Sequence, residues 1–374
     1  MRQRRGRVVE VDTLDDLDRR LRAGARDLDG WRVRSLDLRS LGDSFHGCRV
    51  GGAMFLGCRF DPGVEADLEA AGAVVFPVLP EAPVEVYRQR LYTADELYGD
   101  GPYTDSLDAR TYAWTQAGPD RDSLLAASLH DHAMDTALTT WAAERSLVGV
   151  MGGHALRRDD PAYADAARLG RLLGRHHTVA TGGGPGAMEA ANLGARLAGA
   201  NEVALDDALA ALADVPDYRP DVGRWAARGF EVLAAETDRS ETLGVPTWHY
   251  GHEPPNVCAT AIAKYVRNAV REAVLLQICH GGIVFLPGAA GTVQEVFQDA
   301  CENYYSDPAS VAPMVLVGRR HWTETLPVWP LLQALAEGRD MAPQVHLVDS
   351  VEEAALVVSE THPRPSASGL GFGS

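Results

Sequence analysis

The sequence predicts an α/β protein in which a doubly wound parallel sheet forms the larger part and a smaller α/β appendage precedes it. From residue 123 onward, short apolar runs alternate with longer segments of helical spacing, which is the pattern of parallel strands joined by crossover helices. Two strand-to-helix turns, at residues 181–188 and 287–292, are rich in glycine. In such a sheet both turns fall at the carboxyl ends of strands, where ligands bind.

Residues 1–122 are predicted to form an N-terminal accessory region. It begins with a strand at 8–11, a helix that starts at the N-cap Thr13, and a strand at 31–38. Large apolar residues then recur at every fifth position, and a small one stands two positions before each of the last three. The large residues are Phe45, Val50, Phe55 and Phe60, and the small ones are Cys48, Ala53 and Cys58. This period suits neither helix nor strand and resembles one coil of a pentapeptide-repeat β-helix, with a bulged loop as the alternative.

Residues 123–361 are predicted to form the sheet domain. Its predicted elements are, in order, a helix at 123–145, a strand at 146–153, a helix at 161–175, a strand at 178–184, a helix at 186–198, an inserted pair of helices within 203–240, a strand at 241–250, a helix at 258–277, a strand at 282–288, a helix from 292, a strand at 313–318, a helix at 327–337 and a strand at 345–349. Residues 362–374 are predicted to be disordered.

Charge and composition favour a cytoplasmic protein that binds a small molecule. The formal net charge of −17 argues against binding to nucleic acid or to an anionic membrane, because both need clustered Lys and Arg. The five cysteines are scattered without a CxxC pair, so neither a disulfide framework nor a zinc site is expected. Neither a secretion signal nor an apolar run of membrane-spanning length is recognised in the sequence.

Both glycine turns are candidate phosphate cradles. Glycine lets the backbone approach a ligand closely, and the helix that follows offers unpaired N–H groups and a partial positive charge. The spacing is not that of the dinucleotide fingerprint with its ribose-binding acid, and no phosphate-binding loop with a Lys follows. The expected phosphate-binding residues are Gly183, Gly184, Gly186, Met188, Gly288, Gly291 and Thr292.

The segments "GGGPGAMEAANLGA" and "PGAAGTVQEVF" resemble the paired signatures of the Lonely Guy phosphoribohydrolases, once labelled lysine decarboxylases. The segment "EPPN" at 253–256 is more similar to the larger bacterial branch, which cleaves nucleoside 5′-monophosphates. The resemblance covers about residues 145–320 and implies a Rossmann-like nucleotide-binding fold, a homodimer and no cofactor or metal. The implied reaction releases a free base and ribose 5-phosphate; an N6-prenyl adenine base would make it a cytokinin-activating reaction.

The resemblance also implies a catalytic pair. The final glutamate of the second motif corresponds to Glu295, and the arginine on the preceding helix corresponds to Arg271, with Arg267 one turn away as the competitor. Independently, hydrolysis of an N-glycosidic bond builds positive charge on the ribose, which a carboxylate stabilises. The sequence departs from the family pattern at Ala289, where the family has glycine, and that residue is tolerable only with a negative φ.

Two further residues are predicted to line the pocket: His154, which follows the first strand of the sheet, and Asn256. A non-catalytic protein that binds a nucleotide or a phosphorylated cofactor, such as a molybdenum-cofactor carrier, is the alternative function. A pyridoxal enzyme is disfavoured because Lys264 is the single lysine of the chain and has no evident cofactor pocket.

Overall fold

The computed structural model describes residues 8–39, 41–79, 82–118, 121–234, 240–249 and 253–361. The predicted disordered tail lies outside these residues. The described residues form two compact units: those within Met1–Gln89 and Gly118–Ala133 make one, and those within Arg90–Ala117 and Met134–Ser374 make the other. The predicted boundary at residue 122 and this division differ over Arg90–Ala117, which belong to the second unit, and over residues 123–133, which belong to the first.

Within the described residues, the first unit is built on a four-stranded parallel sheet in the order β1-β2-β3-β4. Its strands are β1 (Val9–Val11), β2 (Trp31–Arg34), β3 (Met54–Leu56) and β4 (Val74–Phe76), and its helices are α1 (Leu14–Arg22) and α2 (Val64–Ala70). Thr13 is the N-cap of α1, as predicted, and its hydroxyl accepts a hydrogen bond from the Asp16 N–H.

The residues with the five-residue period lie inside this unit and stack on a second, equivalent set. Phe55 is fully buried, and it pairs across the sheet with Val33, 22 positions earlier in the chain. The next interior position is Phe60, whose ring packs edge-on against Phe55 at 5.5 Å. Leu28, Val33 and Leu38 repeat the same spacing and are all fully buried. The chain therefore makes two stacked coils here, one more than the sequence pattern indicated.

The second unit is built on a seven-stranded sheet in the order β11-β10-β9-β5-β6-β7-β8, and every neighbouring pair in the described residues is parallel. The strands are β5 (Leu147–Met151), β6 (Thr178–Thr181), β7 (Thr242–Gly244), β8 (Ala261–Ile262), β9 (Ile283–Phe285), β10 (Met314–Val317) and β11 (Val345–Val348). The two halves wind outward from β5 and β9, so the predicted Rossmann-like, doubly wound α/β class is confirmed.

The remaining helices belong to this unit, except that α5 runs across the boundary between the two units. They are α3 (Ala94–Tyr98), α4 (Leu107–Gln116), α5 (Arg121–Ala142), α6 (Pro161–Gly174), α7 (Ala187–Arg196), α8 (Glu202–Leu212), α9 (Val222–Ala234), α10 (Asn268–Gln277), α11 (Ala290–Tyr305), α12 (Val328–Ala336) and α13 (Val351–Thr361). In the described part of the chain, no helix is both long enough and apolar enough to cross a lipid bilayer.

The helix predicted at 258–277 is wrong in its first half. Ala261–Ile262 form the edge strand β8, which pairs with β7, and α10 begins only at Asn268. Ile262 also exchanges two backbone hydrogen bonds with Tyr92, at 2.8 and 2.9 Å. These long-range bonds hold the segment extended, and Lys264 therefore lies between β8 and α10 rather than on a helix.

A buried ion pair joins the segment after β8 to helix α4. Lys264 and Asp108 are each 1% exposed, and Nζ lies 2.6 Å from Oδ1. Asp108 also accepts hydrogen bonds from Trp248 Nε1 and from the Tyr103 hydroxyl, both at 2.7 Å. These bonds give a physical reason for residues 90–117 to fold with the second unit.

Helices α6 and α7 pack closely enough to exclude side chains between them. A methyl group on Gly170 would collide with the Ala191 backbone, and one on Gly194 would collide with the Ala167 carbonyl. Nearly every residue of α7 is buried. The helix that follows the first glycine turn is therefore fixed in place by its neighbour.

Candidate functional site

Three loops meet where the strand order of the larger sheet reverses, between β5 and β9. The loop after β5 passes between the two glycine turns: Gly153 N–H donates to the Pro287 carbonyl at 3.4 Å, and its own carbonyl accepts from Ala187 N–H at 3.1 Å. Crevices at such reversal points are the usual ligand sites of open α/β sheets. We call this place, bounded by residues 152–154, 182–188 and 286–292, the switch crevice.

The first glycine turn is held in a conformation that only glycine adopts easily. Gly183 and Gly186 both have φ of +73°, and a methyl group on Gly186 would lie 2.5 Å from the Gly153 carbonyl oxygen. The N–H of Gly183 already donates to Thr181 Oγ1 at 3.0 Å, so this predicted phosphate donor is used inside the protein. Within the described residues, the N–H groups of Gly184 and Gly186 have no acceptor. These two N–H groups are therefore not used inside the described part of the protein.

Two predicted site residues support this turn from behind. Met188 is buried, and its side chain packs beneath Gly182 and Gly184. Asn256 is fully buried; its Nδ2 donates to the Gly184 carbonyl at 3.0 Å, and its own N–H donates to the Gly183 carbonyl at 2.8 Å. Asn256 therefore fixes the shape of the turn and does not line the pocket.

The second glycine turn accepts its non-glycine residue without strain. Ala289 has φ of −113°, the negative value that an alanine requires there. Gly288 packs against the Thr292 side chain, and its carbonyl accepts a hydrogen bond from His321 Nε2 at 3.1 Å. Gly291 faces open space. The first N–H groups of α11 have no acceptor within the helix, and they follow a turn that the His321 hydrogen bond holds in place.

Glu295 and Arg271 come together at the base of the crevice. Glu295 lies on the second turn of α11 and is 8% exposed, and its Oε1 is 3.7 Å from Arg271 Nη1. The Arg271 guanidinium is held by the protein: Nε donates to the Val245 carbonyl at 2.7 Å, and Nη2 donates to the Gly182 carbonyl at 3.3 Å. The structure thus brings the two predicted catalytic residues together and ties the arginine to the first turn.

Arg267, the competing arginine, differs from Arg271 in its burial. It is the N-cap residue of α10 and is exposed, whereas Arg271 is buried. Glycine at position 182 makes room for Arg271, because a methyl group there would collide with the guanidinium. Gly182 was not among the predicted site residues, although it is the first glycine of the turn.

The carboxyl group of Glu295 is poised to exchange a proton near neutral pH. Burial raises its pKa to about 7; the nearby Arg271 lowers the pKa, whereas the negative charges of Glu272 and Glu253 raise it further. Glu272 is itself paired with Arg271, with 2.9 Å between Oε1 and Nη1. A carboxyl of this kind can accept a proton from water, or orient water, at physiological pH.

His154 extends from the loop after β5 and is half exposed. Its Nδ1 lies 3.5 Å from Glu253 Oε1, and Glu253 also approaches the first glycine turn at Gly184. Glu253 was not predicted as a site residue, although it begins the "EPPN" segment. Its role depends on a contact with a residue 99 positions earlier, for which the local pattern contains no signal.

Beside His154 lies a cavity of about 110 Å³. It is lined by the first turn and by part of the insertion between α7 and β7, and its walls include Gly186, Tyr218 and Trp225. One wall is a buried ion pair, in which Arg158 Nε and Nη2 contact both carboxylate oxygens of Glu189 at 3.1 and 2.5 Å. Sequence reasoning missed this pair as well. Among the described residues, no group of three or more His, Cys, Asp or Glu side chains could hold a metal ion.

Comparison with known proteins gives matches among solved structures alone. No family model and no curated protein match the chain. Solved structures do match, among them one titled as the molybdenum cofactor carrier protein MCP from Chlamydomonas reinhardtii. The identity is 18% and the TM-score 0.34, and the match covers 58% of this chain and 98% of the other. The phosphoribohydrolase family thus remains a resemblance carried by the two motifs, and the fold class rests on the strand order.

Proposed function

We propose that the switch crevice binds a nucleoside 5′-monophosphate and hydrolyses its N-glycosidic bond, releasing a free base and ribose 5-phosphate. The observation that carries this proposal is the pairing of Glu295 with Arg271 between two glycine turns. The crevice would first bind a phosphorylated small molecule and then hydrolyse it.

The two turns support phosphate binding. The N–H groups of Gly184 and Gly186 have no acceptor among the described residues, and those of the first turn of α11 belong to the second turn that bounds the same crevice. Two helix N-termini add partial positive charge there. Gly288 and Thr292 shape the second turn, and Gly291 leaves the space in front of it empty. Such a site suits an anion with several oxygens.

Glu295 supports the hydrolytic step. As the bond between C1′ and the base nitrogen breaks, positive charge develops on the ribose, and a carboxylate at the base of the crevice stabilises it. The attacking water transfers a proton to the same carboxylate, for which a pKa of about 7 is suitable. Because its guanidinium is bound to backbone carbonyls, Arg271 acts as a positioning residue for Glu295 and for the first turn.

The test is incubation of the purified protein with a panel of nucleoside monophosphates, including a prenylated AMP, with free base and ribose 5-phosphate measured by chromatography. We expect release from one or a few members and a loss of at least about 10²-fold in Glu295→Gln. Glu324→Gln, an exposed glutamate distant in sequence, serves as the control and should keep full activity. Release that is unchanged in Glu295→Gln would refute the assignment of this residue.

A second candidate function is that of a carrier for a nucleotide or phosphorylated cofactor. The observation that favours it is the same occupation of Arg271, whose Nε, Nη2 and Nη1 all contact protein groups and leave little of the guanidinium for a substrate. One matching solved structure is also a cofactor carrier by title, but at a TM-score of 0.34 it adds no weight. A ligand that raises the melting temperature equally in wild type and Glu295→Gln, with no product released, would favour the carrier.

The homodimer and the cytoplasmic location remain predictions from the sequence and the family resemblance. Light scattering at micromolar concentration tests the first, since a monomer there would contradict it.

A further inference from the structure

We propose that His154, oriented by Glu253, is the acid that protonates the leaving base, and that the cavity beside it receives that base. This inference rests on the proposed function and deepens it, because it divides the reaction between two groups: Glu295 acts on the ribose and water, and His154 acts on the base.

The first support is position. His154 follows directly on Gly153, whose backbone contacts both glycine turns. A methyl group on Gly186 would meet the His154 backbone at 2.8 Å, so residue 154 emerges beside the first cradle. A phosphate held by the turns would therefore place the rest of a nucleotide within reach of this side chain.

The second support is orientation. Glu253 Oε1 lies 3.5 Å from Nδ1 of His154, and Nε2 has no partner among the described residues. A carboxylate beside one ring nitrogen accepts the N–H of that nitrogen and so orients the ring, which leaves Nε2 of the protonated ring as the donor for the substrate. Glu253 is therefore a positioning residue, whereas His154 would touch the reacting atoms.

The third support is the cavity. His154 forms part of its wall together with Tyr218 and Trp225, two aromatic side chains that suit a flat heterocycle. Burial raises the pKa of the Tyr218 hydroxyl; Arg219 lowers this pKa, whereas Glu253 and Asp217 raise it. Glu253 thus interacts electrostatically with Tyr218 in the cavity wall and with Glu295 in the crevice.

The step balances without a further reactant. The C1′–N bond breaks with its electron pair moving to the base nitrogen, which takes the proton from His154 Nε2. Water adds its oxygen to C1′ and gives one proton to the Glu295 carboxylate. Glu295 then loses that proton to solvent and His154 regains one, so the net reaction consumes one water.

The test compares substrates whose leaving groups do and do not need a proton. We would measure kcat of the full-length His154→Gln variant with the best natural monophosphate, with 4-nitrophenyl ribofuranoside 5-phosphate, and with 7-methylguanosine 5′-monophosphate. The expected result is a fall of about 10²-fold or more with the natural substrate and less than about threefold with the other two. Glu253→Gln should show the same selectivity with a smaller fall.

One control variant and the rates of the wild type distinguish a failure of the acid role from a failure of the proposed function. His176→Gln alters an exposed histidine that precedes β6 and so lies at the amino ends of the strands, opposite the switch crevice. This variant should leave all three rates unchanged. An equal fall with all three substrates in His154→Gln, or no fall with any, would overturn the acid role while the hydrolase stands. If wild type hydrolyses none of them, the proposed function fails and this inference fails with it.

Discussion

Replacing Glu295 by Gln is expected to stabilise the folded protein above neutral pH, because the variant no longer buries a charged carboxylate. Burial raises the pKa of Glu295 from 4.5 to about 7. A carboxyl with a higher pKa in the folded state binds more protons there than in the unfolded chain. Its contribution to stability is therefore fully present below pH 4.5 and is lost as the pH rises through about 7.

The magnitude follows from the size of the rise. Each pKa unit corresponds to about 1.4 kcal/mol. A rise in the pKa of Glu295 from 4.5 to about 7 therefore means that the free energy of unfolding of the wild type falls by about 3 kcal/mol between acidic pH and pH 8. A glutamine of the same shape carries no such dependence. The free energy of unfolding of Glu295→Gln should therefore exceed that of wild type by about 3 kcal/mol at pH 8, and the excess should almost disappear near pH 4.5.

The assay is urea denaturation of both proteins at several pH values between 4.5 and 8, with the difference in unfolding free energy taken at each. Taking this difference cancels the contributions of all groups that titrate equally in the wild type and the variant. Glu324→Gln, whose side chain is 70% exposed, should differ from wild type by less than about 1 kcal/mol throughout. A Glu295→Gln protein that is less stable than wild type at pH 8, or a difference that does not change with pH, would refute the reasoning.

The remaining predictions concern the interior and the second turn. Asp108→Asn leaves the Lys264 ammonium buried without its counter-charge and should lower the free energy of unfolding, measured by urea denaturation, by about 3–5 kcal/mol. The double variant Asp108→Leu with Lys264→Met should lose much less than the sum of the losses in the two single variants. A double variant that loses the full sum would contradict a coupled pair. Gly194→Ala should destabilise by about 1–3 kcal/mol because its methyl group meets the Ala167 carbonyl. A methyl group on Gly291 meets open space, so Gly291→Ala should keep the stability of the wild type. It should weaken nucleotide binding, measured by calorimetry, by about tenfold or more, because the methyl group would occupy the space in front of the turn. An unchanged affinity would argue that no phosphate binds there.

The parts of the site that lie close together along the chain could be predicted from the sequence. A strand, a glycine turn and a helix in succession place Glu295 near the crevice with no knowledge of the rest of the fold. Helical spacing alone could not decide between Arg267 and Arg271, since they lie one turn apart. The decision came from the start of α10 at Asn268, which leaves Arg267 as the exposed N-cap.

The parts that depend on distant contacts could not be predicted. Asp108 and Lys264 are 156 residues apart, and no local pattern indicates which carboxylate a buried lysine will meet. The same holds for Glu253 with His154. The sequence places Asn256 near the site and so predicts it in the pocket, but two glycine carbonyls of the first turn accept its hydrogen bonds. A lone lysine within the apolar run "AIAKYV" was the one available hint of a buried ion pair.

Because its single lysine is buried, the chain allows unfolding to be measured by proteolysis. A protease that cuts only after lysine has a single target in the whole sequence, Lys264, and the folded protein hides it. Cleavage must therefore wait for the surrounding structure to open, and it yields just two fragments, residues 1–264 and 265–374. The rate at which these two bands appear on a gel would measure how often the region around Lys264 opens, without any introduced label.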